Sequence, residues 1–281
     1  MRIILFGSGQ GGQMAARWLP YDCELLAFAD NNPGTWGTSL EGIPVIAPER
    51  IPEYQPDLVL IAVLNKDAVR SIEEQLQRDG YQGAVESLNP FRKVMDLRLA
   101  HLRLLAREIE DRKLPGAVAE LGVYQGAFAA EINRLFPTRT LYLFDTFTGF
   151  SDADVKMEKS LSPGARAAAG DFSDTSVEKV RARLPHPDRA VFLKGHFPDT
   201  LPPDLPPLAF VSLDPDLYEP VLAGLSAFWP RLVPGGAILI HDYNSAQFEG
   251  VGRAVRTFCQ ERRLTVLPLP DLHGSAVLIK Q

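Results

Sequence analysis

The stretch AVAELGVYQGAFAAEINRLF, residues 117–136, decides the fold. An apolar run ends in Glu120, glycines come at 122 and 126, and helical spacing then resumes. This order reads as strand, glycine turn, helix. The glycines let the backbone approach a ligand closely, and the start of the helix supplies N–H donors. About 25 residues on, LYLFD (141–145) is a second apolar strand ending in an acid, Asp145. Ligands of open α/β sheets bind along that carboxyl edge. A glycine turn plus an acid fits more than one nucleotide-bearing cofactor, so this pair alone leaves the ligand undecided.

Three more apolar strands narrow the choice. VFLKGHF (191–197), LAFVSLD (208–214) and GGAILIHD (235–242) have polar ends that could face one crevice. After a helix around VGRAVRTFCQERR (251–263), LTVLPL (264–269) and SAVLIK (275–280) form a terminal hairpin joined by PDLHG. Such a hairpin closes the seven-stranded sheet of class I methyltransferases, with its last strand antiparallel. A plain NAD domain does not usually end this way.

The opening of the chain carries a second glycine turn. RIILF (2–6) precedes GSGQGG (7–12), which has G-x-G-x-x-G spacing, and QMAARWL (13–19) resumes helical spacing. ELLAFAD ends in Asp30, PDLVLIAVL (56–64) ends near Asn65, and DAVRSIEEQLQRDG (67–80) is an amphipathic helix closed by Gly80. Asp30 could accept ribose hydroxyls. The unit runs out near Pro90, about half of a full dinucleotide fold, and the glycines fit close helix–strand packing equally well. The fold class is therefore α/β. A small Rossmann-like domain (1–90) and a connecting helix (91–115) precede a methyltransferase domain (116–281). Leu97, His101, Leu104 and Leu105 are expected on one face of that helix.

Composition bounds the function. The 281 residues are 46% hydrophobic and 23% charged, ordinary for a soluble globular chain. A formal charge of −6 shows no basic excess, so no nucleic-acid partner is expected. Two cysteines make no disulfide framework. No apolar run approaches the ~18 residues of a spanning helix, and no signal peptide opens the chain. No membrane partner and a cytoplasmic location are the expectation; self-association stays open.

Asp214 ends one strand and His241-Asp242 the next, so adjacent parallel strands would bring the three together. Methylating a weakly acidic hydroxyl needs a base or a Lewis acid, and carboxylates there can hold a hard divalent ion. The alternative is that Asp214 and Asp242 cap helices or face solvent in loops. Asp216 could also reach the site, although alternation along an extended segment would point it away. His101 reads as a core or surface histidine, and His186 and His273 as surface residues. Residues 151–176, poor in large apolar side chains, are expected to be a mobile cover over the crevice.

ILFGSGQGGQ, FADNNPGTWGTSLEGIPVIAPERI and PDLVLIAV are similar to small nucleotide-sugar-binding-like domains attached to bacterial sugar-modifying enzymes. This resemblance covers roughly residues 1–85 and implies handling of a sugar nucleotide more than hydride transfer. AELGVYQGAFA, LYLFDTFTGF, DFSDTSVE, VSLDPDLYEPVLAGL, PRLVPGGAILIHDYN and GVGRAVRTF together resemble the macrocin O-methyltransferase (TylF-like) family across residues 117–280. The resemblance implies O-methylation of a sugar or sugar-nucleotide acceptor using S-adenosylmethionine and a divalent cation, Mg²⁺ or Mn²⁺. It implies a cofactor site of Glu120, Gly122, Tyr124, Gly126, Asp145, Ser176 and His196, with His196 near the adenine or else in a surface turn. It implies catalytic and metal roles for Asp214, His241 and Asp242. Where the family carries paired aspartates this chain has His241-Asp242, so His241 is either a ligand of a nitrogen-tolerant ion or the general base. The rival readings are an NAD(P)-dependent oxidoreductase and a non-catalytic nucleotide-sugar-binding protein.

Overall fold

The computed structural model describes residues 1–63 and 65–281, and residues 92 and 93 by their backbone alone. Leu64, which closes the apolar run from Pro56, lies outside the described residues. The chain divides into two compact units, Met1–Leu97 with Pro270–Leu272, and Arg98–Leu269 with His273–Gln281.

The first unit runs β1 (Arg2–Phe6), α1 (Gln10–Trp18), β2 (Glu24–Ala29), β3 (Ser39–Leu40), β4 (Ile43–Ile46), α2 (Ile51–Tyr54), β5 (Leu58–Ile61), α3 (Lys66–Arg78), β6 (Ala84–Ser87) and α4 (Asn89–Val94). Its sheet has the order β3-β4-β2-β1-β5-β6, parallel except for the short β3–β4 pair. Asn65 caps α3 by accepting from the Asp67 and Ala68 N–H groups, and Val69, Ile72 and Leu76 face the core at helical spacing. A side chain at Gly12 would overlap the Gly7 carbonyl, so close packing of α1 on β1 requires glycine there. Asp30 is already engaged. Oδ2 accepts from Ser8 N (2.7 Å) and Ser8 Oγ (2.5 Å), and Oδ1 from Asn32 N (2.9 Å). Burial pushes its carboxyl up, but these hydrogen bonds outweigh that and hold it below the usual value.

The second unit continues with α5 (Leu97–Asp111), β7 (Ala117–Leu121), α6 (Ala127–Leu135), β8 (Leu141–Asp145), α7 (Asp152–Leu161), α8 (Val177–Arg183) and β9 (Ala190–Lys194). Next come β10 (Leu208–Leu213), α9 (Tyr218–Phe228), β11 (Leu232–Ile240), α10 (Glu249–Arg262), β12 (Leu267–Pro268) and β13 (Ala276–Ile279). The sheet order is β12-β13-β11-β10-β7-β8-β9, with β13 antiparallel to both neighbours. This is the seven-stranded class I methyltransferase arrangement with its closing hairpin. Every residue of β7 and β10 is buried, as expected of central parallel strands covered on both faces. Phe144, Phe197 and Phe228 pack with ring centroids 5.2–5.4 Å apart, and burying each such side chain contributes about 1.5–3 kcal/mol.

Two local expectations fail. On α5 the buried residues are Leu102, Ala106 and Ile109, while Leu104 is 62% exposed. Leucine spacing there fits two helical faces, and the one carrying Leu102, Ala106 and Ile109 joins the core around Val118 and Phe210, with Leu105 partly buried against it. The segment 151–176 holds a packed helix, not a loose cover. Glu158 on α7 is fully buried, accepting from Tyr218 N and Gly250 N at 3.0 Å each. One carboxylate thus satisfies N–H groups that open both α9 and α10.

Candidate active site at the strand ends

Leu213 of β10 pairs with Leu121 of β7 and with Ile240 of β11, so the three strands end level. The ladder continues one residue further, with Asp214 N donating to Leu121 O (2.8 Å) and His241 N to Leu213 O (3.0 Å). Backbone pairing therefore fixes both candidate residues at one sheet edge. Gly122 is required at the same edge. Its φ is +84°, and a side chain there would overlap the Asp214 carbonyl.

Asp214 Oδ1 lies 2.9 Å from His241 Nδ1, and Asp242 Oδ2 lies 3.0 Å from the same nitrogen. His241 Nδ1 is thus buried between two carboxylate oxygens. Asp214 Oδ2 is held by Arg98 Nη1 at 2.9 Å. The Arg98 guanidinium stacks 3.8 Å from the Phe128 ring centroid, and its Nη2 donates to Ser212 Oγ at 3.4 Å. Ser212 Oγ in turn donates to Glu120 Oε1 (3.2 Å), while the buried Glu120 Oε2 has no hydrogen-bond partner. Arg98 belongs to no sequence motif, so nothing in its local context points to this role.

The cluster is larger than the three expected residues. Ligand atoms of Asp214, Asp216, His241 and Asp242 all lie within 4.8 Å of one another. Alternation would turn Asp216 away, but its backbone is left-handed (φ 62°) and reverses the direction. His273 also reaches the cluster, with its ring centroid 5.0 Å from that of His241 and Nδ1 3.8 Å from Asp242 Oδ1. A hairpin-turn histidine carries no local signal, because only sheet pairing brings it to His241.

The charges interlock. Burial pushes Asp214 up, but Arg98 and His241 pull it down to about 2. Burial pushes His241 down, but Asp214 more than reverses this and raises it to about 10. Asp216 stands well above the usual carboxyl range, from burial and then from its acidic neighbours Asp214 and Asp242. Glu120 rises to about 8, mainly from burial, despite the opposing charge of Arg98.

The remaining expected residues line the β7–β9 side. Asp145 Oδ2 accepts from Val123 N (2.7 Å) and Tyr124 N (2.9 Å), and Oδ1 from Phe147 N (2.7 Å). One lone-pair direction on Oδ1 is left for a ligand hydroxyl. Tyr124 is left-handed (φ 48°), with its ring edge-on to Phe172, and Gly126 caps α6. Ser176 caps α8 by accepting from Lys179 N, and the neighbouring Thr175 hydroxyl donates to Tyr124 O. Gly195 N donates to Asp145 O (3.0 Å), which sets His196 just beyond Asp145, with Nε2 3.1 Å from Asp154 Oδ2.

Residues 49–281 match the family described as Macrocin-O-methyltransferase (TylF). The chain belongs to this family. Its start, residues 1–84, matches the family described as C2185-like, N-terminal. Among curated members of similar sequence, Mycinamicin III 3''-O-methyltransferase of Micromonospora griseorubida is 33% identical over 143 residues, 46% of this chain and 56% of that protein. Demethyldecarbamoylnovobiocin O-methyltransferase of Streptomyces niveus is 27% identical over 156 residues, 52% of this chain and 60% of that protein. The chain therefore spans less than two thirds of these relatives' length. In fold it is similar to the O-methyltransferase NovP (TM-score 0.53, 23% identity, 66% of this chain and 79% of that one). The calicheamicin methyltransferase CalS11 is a second such neighbour (TM-score 0.53, 22% identity, 76% and 86%).

Proposed function

We propose that the second unit methylates a hydroxyl of a sugar or sugar-bearing acceptor, using S-adenosylmethionine and a divalent cation held by Asp214, His241 and Asp242. The observation that carries this reading is the ionisable cluster at the ends of β10 and β11, within a sheet of methyltransferase order. The named relatives, a mycinamicin III 3''-O-methyltransferase and a demethyldecarbamoylnovobiocin O-methyltransferase, support the same class.

The residues fit both groups. Glu120 Oε2 is a buried acceptor without a donor, which suits the ammonium group of a cationic cofactor. S-adenosylmethionine supplies, when bound, an electrophilic methyl group. The buried His241 Nδ1, set between two carboxylate oxygens, suits a shared cation, and we assign His241 as a ligand. A divalent ion supplies Lewis acidity that makes a sugar hydroxyl easier to ionise. The chain's own contribution is orientation and charge. Backbone ladders fix Asp214 and His241, Arg98 keeps Asp214 ionised, and Asp145 ties the Val123–Tyr124 turn in place. Edge-to-face contacts linking Tyr124, Phe172, Phe150 and Phe248 would limit water beside the crevice.

The first unit is assigned to docking or to a sugar nucleotide and not to a redox cofactor. Gly12 serves packing, since a side chain there would overlap the Gly7 carbonyl. No described helix is long and apolar enough to cross a membrane.

Incubation with S-adenosylmethionine and a panel of free and nucleotide-linked sugars, read by S-adenosylhomocysteine formation, tests the assignment. Turnover should vanish in chelator or in Asp214→Asn, while calorimetric binding of S-adenosylmethionine survives. Full turnover in excess chelator removes the cation from the mechanism. Absence of S-adenosylmethionine binding overturns the methyltransferase reading.

A further inference from the structure

We propose that His273 is a ligand of the divalent ion, so that the site is a two-histidine, carboxylate-bearing centre suited to a borderline transition ion and not to Mg²⁺. This inference rests on the cation assigned above and adds a ligand from a different element.

Sheet register builds the arrangement. In the antiparallel pair of β11 and β13, Ile240 stands opposite Ala276, so the residues just after β11 run alongside those just before β13. The hairpin turn is fastened to that loop. Asn244 N donates to Gly274 O at 2.9 Å, and a side chain at Gly274 would put its Cβ 2.6 Å from Asn244 Cβ. Leu269 N donates to Ser275 O at 2.8 Å and closes the hairpin from the other side. His273 is thereby held over the His241–Asp242 corner. Ligand atoms of His241, Asp242 and His273 lie within 4.8 Å of one another, as do those of Asp214, Asp216, His241 and Asp242. The two groups share His241 and Asp242, so an ion bound by those two residues would have His273 on one side and Asp214 and Asp216 on the other.

The donors set the chemistry. Magnesium prefers an all-oxygen shell and binds imidazole poorly, whereas Zn²⁺, Co²⁺ and Fe²⁺ accept imidazole and carboxylate together. Two carboxylates balance the ion's charge, and two neutral rings add affinity without excess negative charge. Two histidines brought to one ion from separate elements, one at a strand end and one on a turn, would make that preference part of the fold.

The experiment uses the full chain stripped with chelator and reloaded with Co²⁺ alone. Proton NMR in H₂O should show two exchangeable, hyperfine-shifted imidazole N–H resonances, and Co²⁺ should bind more tightly than Mg²⁺. In His273→Ala one resonance should remain and Co²⁺ binding should weaken by about tenfold or more, with Mg²⁺ binding unchanged. His273 is about half exposed, so the variant should fold, and His273→Gln provides a second check with circular dichroism alongside. A single resonance in the wild-type protein, with Co²⁺ affinity unchanged in His273→Ala, overturns the inference while the ion at Asp214, His241 and Asp242 stands. No saturable binding of Co²⁺ or Mg²⁺ overturns both.

Discussion

Arg98 Nη1 and His241 Nδ1 each lie 2.9 Å from the Asp214 carboxylate, on opposite oxygens. A residue at the start of α5 thus supplies a positive charge to the carboxylate proposed to bind the cation. Arg98 and an incoming metal ion are both cations drawn to Asp214, so they oppose each other. Arg98→Met should leave Asp214 with His241 as its remaining cationic neighbour and destabilise the metal-free protein by about 1.5–3 kcal/mol, the worth of a hydrogen bond to a charged group. The same variant should bind Mn²⁺ more tightly than the wild type. Thermal denaturation with and without Mn²⁺ checks both; equal metal-induced stabilisation in the two proteins would count against the competition.

Glu120 sets a pH dependence. Its folded value near 8 lies above the ordinary 4.5, so the folded state keeps a proton that the unfolded state loses. That contribution to stability is fully present below about 4.5 and is lost as pH rises through 8. A cationic cofactor needs the ionised form, so S-adenosylmethionine affinity should rise by up to about tenfold per pH unit below 8 and then level off. Glu120→Gln should flatten both profiles. Parallel calorimetric pH curves for the two proteins would show that Glu120 does not face the cofactor.

Asp145 serves the chain and, as proposed, the ligand. Asp145→Ala deletes three backbone hydrogen bonds, so it should lower the melting temperature as well as cofactor affinity. Asp145→Asn keeps an acceptor oxygen and should retain more stability, while losing about 1.5–3 kcal/mol of binding from the charge-assisted contact. Calorimetry beside thermal denaturation separates the two effects, and unchanged affinity in both variants would place the ribose elsewhere.

Glu158 offers a test of the helix that replaces the expected cover. Glu158→Ala leaves N–H groups of Tyr218 and Gly250 without their acceptor and should cost about 1.5–3 kcal/mol in urea denaturation. It should also expose residues 152–161 to limited proteolysis. A wild-type protein already cut there at the same rate would show that α7 is not anchored.

Local patterns determined a large part of this protein. Apolar runs ending in acids, glycine turns before helical spacing and a terminal hairpin specify strand, turn and helix over a few residues each. From these the two α/β units, the seven-stranded sheet and the acids Glu120, Asp145, Asp214 and Asp242 are directly legible. Tertiary structure alone decided the partners of those acids. Arg98 meets Asp214, Glu158 meets Tyr218 and Gly250, and His273 meets His241, each across a separation that no helical or strand period spans. Asp216 escapes a strand reading because a single left-handed residue reverses the alternation on which that reading depends. Asp30 and Asp145 hold similar positions in their units, and each accepts two hydrogen bonds on Oδ2 and one on Oδ1 from the chain; a backbone N–H and the Ser8 hydroxyl share Asp30 Oδ2, whereas two backbone N–H groups share Asp145 Oδ2. Residue type and spacing place an acid at a strand end; what it binds depends on which N–H groups the folded backbone has already turned toward it.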